Sequence, residues 1–242
     1  DALLQALRTV NEPDLGADLV TLDMISGLSA DEDGKVALRL SLSAPNDPAA
    51  DEICAAVVAA LGAVEGVTDV DVEADFVVTA SGLPNAERLA SVHNIIGVGA
   101  GKGGVGKTTV AVNLAAALAA AGARVGLLDA DIYGPSVPIM LGKANEPARV
   151  DSNGKILPIE AHGIRFMSMG LLVKAEDAVV WRGPMIGRAV SQFVDDVAWG
   201  ELDYLIVDLP PGTGDVVLSL SQTIPLSGAL VVATPQDVAF AD

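Results

Sequence analysis

An α/β fold is predicted, with a mostly parallel, doubly wound sheet preceded by a small α+β domain. Three observations predict it. The octapeptide Gly101-Lys102-Gly103-Gly104-Val105-Gly106-Lys107-Thr108 sits between a short apolar run and a stretch of helical periodicity. Two later apolar runs, Arg124-Val125-Gly126-Leu127-Leu128-Asp129 and Leu205-Ile206-Val207-Asp208, each end in an acid. Unbroken apolar strands alternating with helices mark a parallel sheet buried on both faces. Near the N-terminus, by contrast, Lys35-Val36-Ala37-Leu38-Arg39-Leu40-Ser41-Leu42 alternates as a half-buried strand does. The expected division is a small α+β domain over 1–80, a linker over 81–92 and the α/β domain over 93–242, C-terminally incomplete.

The elements follow in order. Ala2, Leu3, Leu4, Leu7 and Val10 predict a helix that ends before Pro13. The alternating strand comes next, then a helix over 51–61 stopped by Gly62. Val67, Val70 and Val72, with acids between them, predict another strand, and Ala80-Ser81-Gly82-Leu83-Pro84-Asn85 has the chemistry of a linker. Ile95, Ile96 and Val98 read as a short buried strand. Val110, Leu114, Ala117 and Leu118 follow at helical spacing, with Gly122 as the stop. After the strand ending at Asp129, Asn153-Gly154 between Val150 and Ile156 has the form of a hairpin turn. Pro184 suits the first turn of a helix running towards Trp199. Beyond the strand ending at Asp208, Ala229-Leu230-Val231-Val232-Ala233 predicts a third apolar strand.

Composition removes several functional classes. The formal charge of −18, with no run of basic residues, disfavours binding to nucleic-acid phosphates. The only cysteine, Cys54, precludes an internal disulfide and lies on an apolar helix face, as a buried inert thiol does. His93 and His162 are far apart in sequence and near no cysteine, so no protein-built metal site is expected. The apolar stretch 110–128 contains Asn113 and Arg124 and reads as helix, turn and strand rather than a membrane span. No signal peptide opens the chain, so a cytosolic protein is expected.

The octapeptide fits the P-loop pattern of a nucleotide-binding NTPase, and the strand before it and helix after it supply the required context. Two of the chain's six lysines lie within it. Its glycines let successive backbone N–H groups point at a phosphate, and the helix N-terminus that follows also favours negative charge. Gly101 to Thr109 are therefore the candidate nucleotide-binding residues, with Lys107 for the β- and γ-phosphates and the Thr108 hydroxyl for Mg²⁺. In such a sheet the site forms at the carboxyl ends of the strands. Asp208 has the Walker-B position and suits Mg²⁺, Asp129 suits an outer Mg²⁺ contact, and Asp131 is placed to position the attacking water. Pro210 and Pro211 stiffen the next turn, so that Gly212 brings its N–H towards the γ-phosphate.

Lys102, in its early place in the loop, resembles the second lysine of the deviant Walker A in the MinD/ParA/nitrogenase iron protein class. Asp129-Ala130-Asp131-Ile132-Tyr133-Gly134-Pro135-Ser136, Trp181-Arg182-Gly183-Pro184-Met185, the segment from Asp208 to Asp215, and Thr234-Pro235-Gln236-Asp237-Val238-Ala239 together resemble the Mrp/ApbC group. These are P-loop ATPases that carry iron–sulfur clusters, and the likeness spans 95–242. It implies slow ATP hydrolysis in a homodimer holding two ATP molecules at its interface, with Lys102 reaching the partner's nucleotide. It also implies a cluster bridged by a Cys-x-x-Cys pair from each subunit and passed to iron–sulfur apoproteins, alongside assembly factors. That pair, and the segments that clasp the adenine base, are expected beyond Asp242.

Asn11-Glu12-Pro13-Asp14-Leu15-Gly16 resembles the opening motif of the small domain often fused ahead of these ATPases. There the chain departs from the pattern, with Asp47 where the family has a cysteine between Pro45 and Pro48. Two other readings stand beside the cluster carrier. One is a MinD/ParA-like positioning ATPase; the other is a nucleotide-gated scaffold that binds a partner through 1–80. Neither a nucleic-acid nor a membrane partner is expected.

Overall fold

The computed structural model describes residues 1–80, 89, 91–131, 134–171, 190, 192–212 and 224–237. The chain divides into two compact units, Asp1–Val78 and Thr79–Asp242. The expected linker over 81–92, the segment around Pro184 and the residues after Asp237 lie largely or wholly outside the described residues.

The first unit is a three-stranded sheet with two helices. Helix α1 (Ala2–Leu7) leads to strands β1 (Ile25–Ala30) and β2 (Lys35–Leu42), helix α2 (Ala50–Gly62) and strand β3 (Asp69–Phe76). Strand β2 is central, antiparallel to β1 and parallel to β3. Its alternation has the predicted cause: Val36, Leu38, Leu40 and Leu42 are buried against Ile53, Val57 and Leu61 of α2. Helix α1 is shorter than expected. The Thr9 hydroxyl donates to the Ala6 carbonyl at 2.6 Å, and the Val10 carbonyl accepts from the Leu19 amide, which draws the chain out of the helix. Strand β1 has no counterpart among the expected elements. Cys54 is half-buried rather than buried, at the edge of the face that α2 presents to the core.

The second unit holds the parallel sheet. Its elements are β4 (Val92–Gly99), α3 (Lys107–Ala120), β5 (Val125–Asp129), α4 (Val137–Met140), β6 (Arg149–Val150), β7 (Ile156–Leu157), β8 (Ile159–Ala161), β9 (Ile164–Ser168), β10 (Leu202–Asp208) and β11 (Gly228–Val231). Among the described residues the main sheet runs β11-β4-β10-β5-β9-β8, parallel throughout except for β8 at one edge. Both faces are covered, as a doubly wound sheet requires. Leu205 and Val207 of β10 pack into a core with Val194, Val197 and Trp199, while Ile206 faces the core that α3 covers. The hairpin at Asn153-Gly154 pairs β6 with β7, and Gly154 takes a φ of +81°.

Helix α3 buries Ala111, Val112 and Ala115 most deeply; of the residues expected at helical spacing, Leu114 and Leu118 pack half-buried beside them, whereas Val110 and Ala117 are exposed. Alanine lets the helix axis come close to the sheet, and the larger side chains flank that contact. Strands β8 and β9 also have no counterpart among the expected elements, although β9 lies inside the sheet, paired on both sides. At the amino ends of the strands, Arg124 binds Asp203 through its backbone N–H at 2.7 Å and its Nη2 at 2.7 Å. That contact fastens β5 to β10 at the end opposite the P-loop.

Candidate nucleotide site

Strand register assembles the site. Asp208 of β10 pairs with Asp129 of β5, and Asp129 pairs with Ser168 of β9. One row at the carboxyl end of three neighbouring strands therefore carries three polar residues, all fully buried. The P-loop joins β4 to α3 directly beside this row. Gly104 and Gly106 have φ of +80° and +95°, a conformation that L side chains resist, and Gly106 caps α3.

Lys107 opens α3 and is 6 % exposed. Its Nζ donates to Asp208 Oδ1 at 2.5 Å and lies 3.8 Å from Asp131 Oδ2. The Thr108 hydroxyl donates to the other Asp208 oxygen at 2.7 Å. Burial pushes the Asp208 carboxyl above the ordinary range, while Lys107 and Thr108 pull against that rise.

Asp129 is more deeply constrained. Its Oδ2 accepts from Ser168 Oγ at 2.9 Å and from the Val137 amide at 3.3 Å, and its Oδ1 accepts from the Asp131 amide at 3.2 Å. Burial raises its pKa to about 7 against the pull of these donors, and the neighbouring Asp208 charge adds to the rise. Asp131 is nearly buried, and its Oδ1 accepts from the Gly134 amide at 3.3 Å.

The other candidate residues surround this centre. Gly101 and Val105 are half-buried, whereas Lys102, Gly103, Gly104, Gly106 and Thr109 are exposed along the loop. Pro211 is exposed, and Gly212 takes a φ of +114°. The Gly212 N–H, expected to face a phosphate, instead donates to the Ala100 carbonyl at 2.9 Å. This bond ties the turn after β10 to the start of the P-loop. Ile132, Tyr133, Thr213, Gly214, Asp215 and the Trp181 to Met185 segment lie outside the described residues.

The residues present suit a magnesium-bound nucleoside phosphate. Among the described residues no hydrogen bond uses the backbone N–H groups of Gly101 to Gly106, and a Cβ built at Gly103, Gly104 or Gly106 meets no atom within 4 Å. Unspent donors in an open cradle match phosphate oxygens. The Thr108 hydroxyl and the Asp208 carboxylate are hard oxygen donors of the kind Mg²⁺ takes. Sequence reasoning missed Ser168. Its one visible signal is a lone hydroxyl closing the run Ile164-Arg165-Phe166-Met167.

In the first unit Asp47 Oδ1 accepts from the Ala49 amide at 2.9 Å, a turn that leads into α2. Glu12 of the opening motif is buried, and its carboxylate accepts from the Leu15 amide. Among the described residues no helix is long and apolar enough to cross a membrane.

Known proteins resemble both units. Residues 91–242 match the family described as the NUBPL iron-transfer P-loop NTPase, and residues 1–74 match the family described as iron-sulfur cluster assembly protein. An "iron-sulfur cluster carrier protein" of Deinococcus radiodurans is 55% identical over 243 residues, covering 100% of this chain and 68% of the relative. One of the same name from Synechocystis is 47% identical over 250 residues, covering 100% of this chain and 69% of the relative. A solved structure described as the nucleotide-binding protein in complex with ADP, from Archaeoglobus fulgidus, superposes with a TM-score of 0.56 at 41% identity. That match covers 64% of this chain and 60% of the other.

Proposed function

This chain belongs to the iron-transfer P-loop NTPase family, and from that premise we propose that it is an ATP-hydrolysing carrier that binds iron–sulfur clusters and passes them to apoproteins. The observation that carries the reading is the convergence of Lys107, Thr108, Asp131 and Asp208 at the mouth of a glycine-rich loop with unspent N–H groups. Bound MgATP supplies the transferable phosphoryl group and a metal that offsets its charge. Lys107 exchanges its Asp208 partner for β- and γ-phosphate oxygens. Asp208 and Thr108 are the residues that would hold Mg²⁺, and Asp129 would support them from the neighbouring strand. Asp131 orients water towards the γ-phosphate. Hydrolysis is expected to be slow, as the family likeness implies, and to depend on positioning and charge rather than on covalent chemistry. The working form is a cytoplasmic homodimer, and its cluster is cargo held by thiolates outside this sequence.

Two measurements test the reading on the full-length protein. Lys107→Ala removes the charge facing the phosphates and is expected to abolish hydrolysis and to weaken ATP more than ADP. Asp131→Asn is expected to spare binding while lowering kcat. Equal hydrolysis by wild type and Lys107→Ala overturns the ATPase. Anaerobic reconstitution with iron and sulfide is expected to give one cluster per dimer that transfers to an apoprotein. A colourless product favours a positioning ATPase instead.

A further inference from the structure

We propose that the turn closing β9, Ser168-Met169-Gly170, is a clamp that positions Asp131, with Ser168 and Gly170 as positioning residues. The proposal rests on the ATPase reading for its catalytic consequence and on geometry alone for the clamp itself.

Two independent contacts define the clamp. Ser168 Oγ donates to Asp129 Oδ2 at 2.9 Å and accepts from the Gly170 amide at 3.2 Å, so the hydroxyl has a fixed direction. Asp129 in turn accepts from the Asp131 and Val137 amides, at either end of the loop that carries Asp131. One hydroxyl thus orients one carboxylate, and that carboxylate ties down both ends of the loop. The second contact is steric. A Cβ on Gly170 would lie 2.4 Å from Pro135 Cγ and 2.5 Å from Pro135 Cβ. Glycine lets the β9 turn lie directly against the ring of Pro135, midway along the same loop. Polar and packing contacts from one short turn therefore converge on Asp129, Asp131, Pro135 and Val137.

Ser168 stands in register with Asp129 and Asp208 but reaches neither Lys107 nor Thr108 in the hydrogen bonds it makes. Its effect passes through Asp129 to the loop. Loss of the clamp lets Asp131 wander from its place beside Lys107, and a misplacement of about 1 Å costs on the order of a hundredfold in rate. Nucleotide affinity, set mainly by the P-loop, changes little.

The test compares wild type, Ser168→Ala, Ser168→Thr, Gly170→Ala and Pro135→Ala in the full-length protein. Steady-state hydrolysis is read as kcat and KM for MgATP, and affinity as the Kd of a fluorescent ADP. Exchange rates of the Asp131, Gly134 and Val137 amides are measured without nucleotide. Ser168→Ala and Gly170→Ala are expected to lower kcat by roughly ten- to a hundredfold, with the Kd for ADP changed by less than about threefold. Both are expected to speed exchange at the three amides, because each loosens the loop locally. Ser168→Thr keeps the hydroxyl and is expected to restore kcat. Pro135→Ala removes the ring against which the Gly170 turn packs and is expected to lower kcat and speed exchange at the same amides; this variant decides the matter if Ser168→Ala does not fold. Unchanged amide exchange in Ser168→Ala and Gly170→Ala overturns the clamp. Parallel losses of kcat and ADP affinity, without rescue, overturn the positioning role. Faster exchange in a protein whose wild type hydrolyses nothing keeps the clamp and overturns the ATPase.

Discussion

Asp129 carries the strongest electrostatic tension among the residues of the site. It is fully buried beside a second buried carboxylate and accepts three hydrogen bonds from Ser168, Val137 and Asp131. Burial sets its pKa near 7, whereas an unfolded aspartate titrates near ~3.9. Between these values the folded state holds more protons than the unfolded state. The contribution of Asp129 to stability therefore falls as pH rises from about 4 to about 7 and is level above that. Asp129→Asn removes the titration and is expected to flatten this slope, measured by urea denaturation at several pH values in EDTA. An asparagine offers one acceptor oxygen where three donors converge, so the slope, not the absolute stability, is the readout. A variant that keeps the wild-type slope places the titration elsewhere.

Strand β5 shows how a single strand fixes the place of Asp129 in the sheet. All five residues are buried between β10 and β9, and the strand carries Asp129 at its end. Gly126 lies in its middle, where a Cβ would come within 2.6 Å of Leu202 Cδ1 and 2.9 Å of Leu205 Cδ1. Gly126→Ala forces those leucines off their rotamers and is expected to cost about 1–3 kcal/mol. A thermal melt should show it as a drop of roughly 2–10 °C; an unchanged melting temperature means that β10 yields without cost. Much of this architecture was legible beforehand. Strand β2 alternates, α2 is bounded by Gly62, and the P-loop and the acids closing β5 and β10 carry local signals that need no partner. The features without a local signal depend on partners. Helix α3 is rich in alanine, so its apolar faces differ little and the buried one is chosen by closeness to the sheet. Strand β9 follows a turn at His162-Gly163 and carries Arg165 in mid-run, and only its register beside β5 gives Ser168 its meaning. The Arg124–Asp203 contact spans 79 positions and has no local pattern at all.

Lys102 bears on the proposed assembly of two chains. The side chain is exposed, and among the described residues it makes no ion pair, although the chain carries a formal charge of −18. Lys107 already supplies the cation buried at the phosphate end of the loop, and the turn itself is shaped by Gly104 and Gly106. Among the described residues no contact therefore requires a lysine at this position. In the proposed homodimer the ammonium is expected to cross the interface to the partner's nucleotide, where phosphate charge would offset its desolvation. Lys102→Ala is then expected to leave the protomer folded, with an unchanged melting temperature, and to lower kcat at least tenfold in the full-length protein. Asp131→Asn damages the site from the other protomer. A mixed dimer of the two variants places both defects at one site and leaves its second site intact. Titrating one inactive variant against the other should restore activity, approaching a quarter of the wild-type rate at equal mixing if subunits exchange at random and the two sites turn over independently. Residues that act on their own protomer's nucleotide leave one defect in each site, so mixed dimers without activity show that Lys102 works in cis.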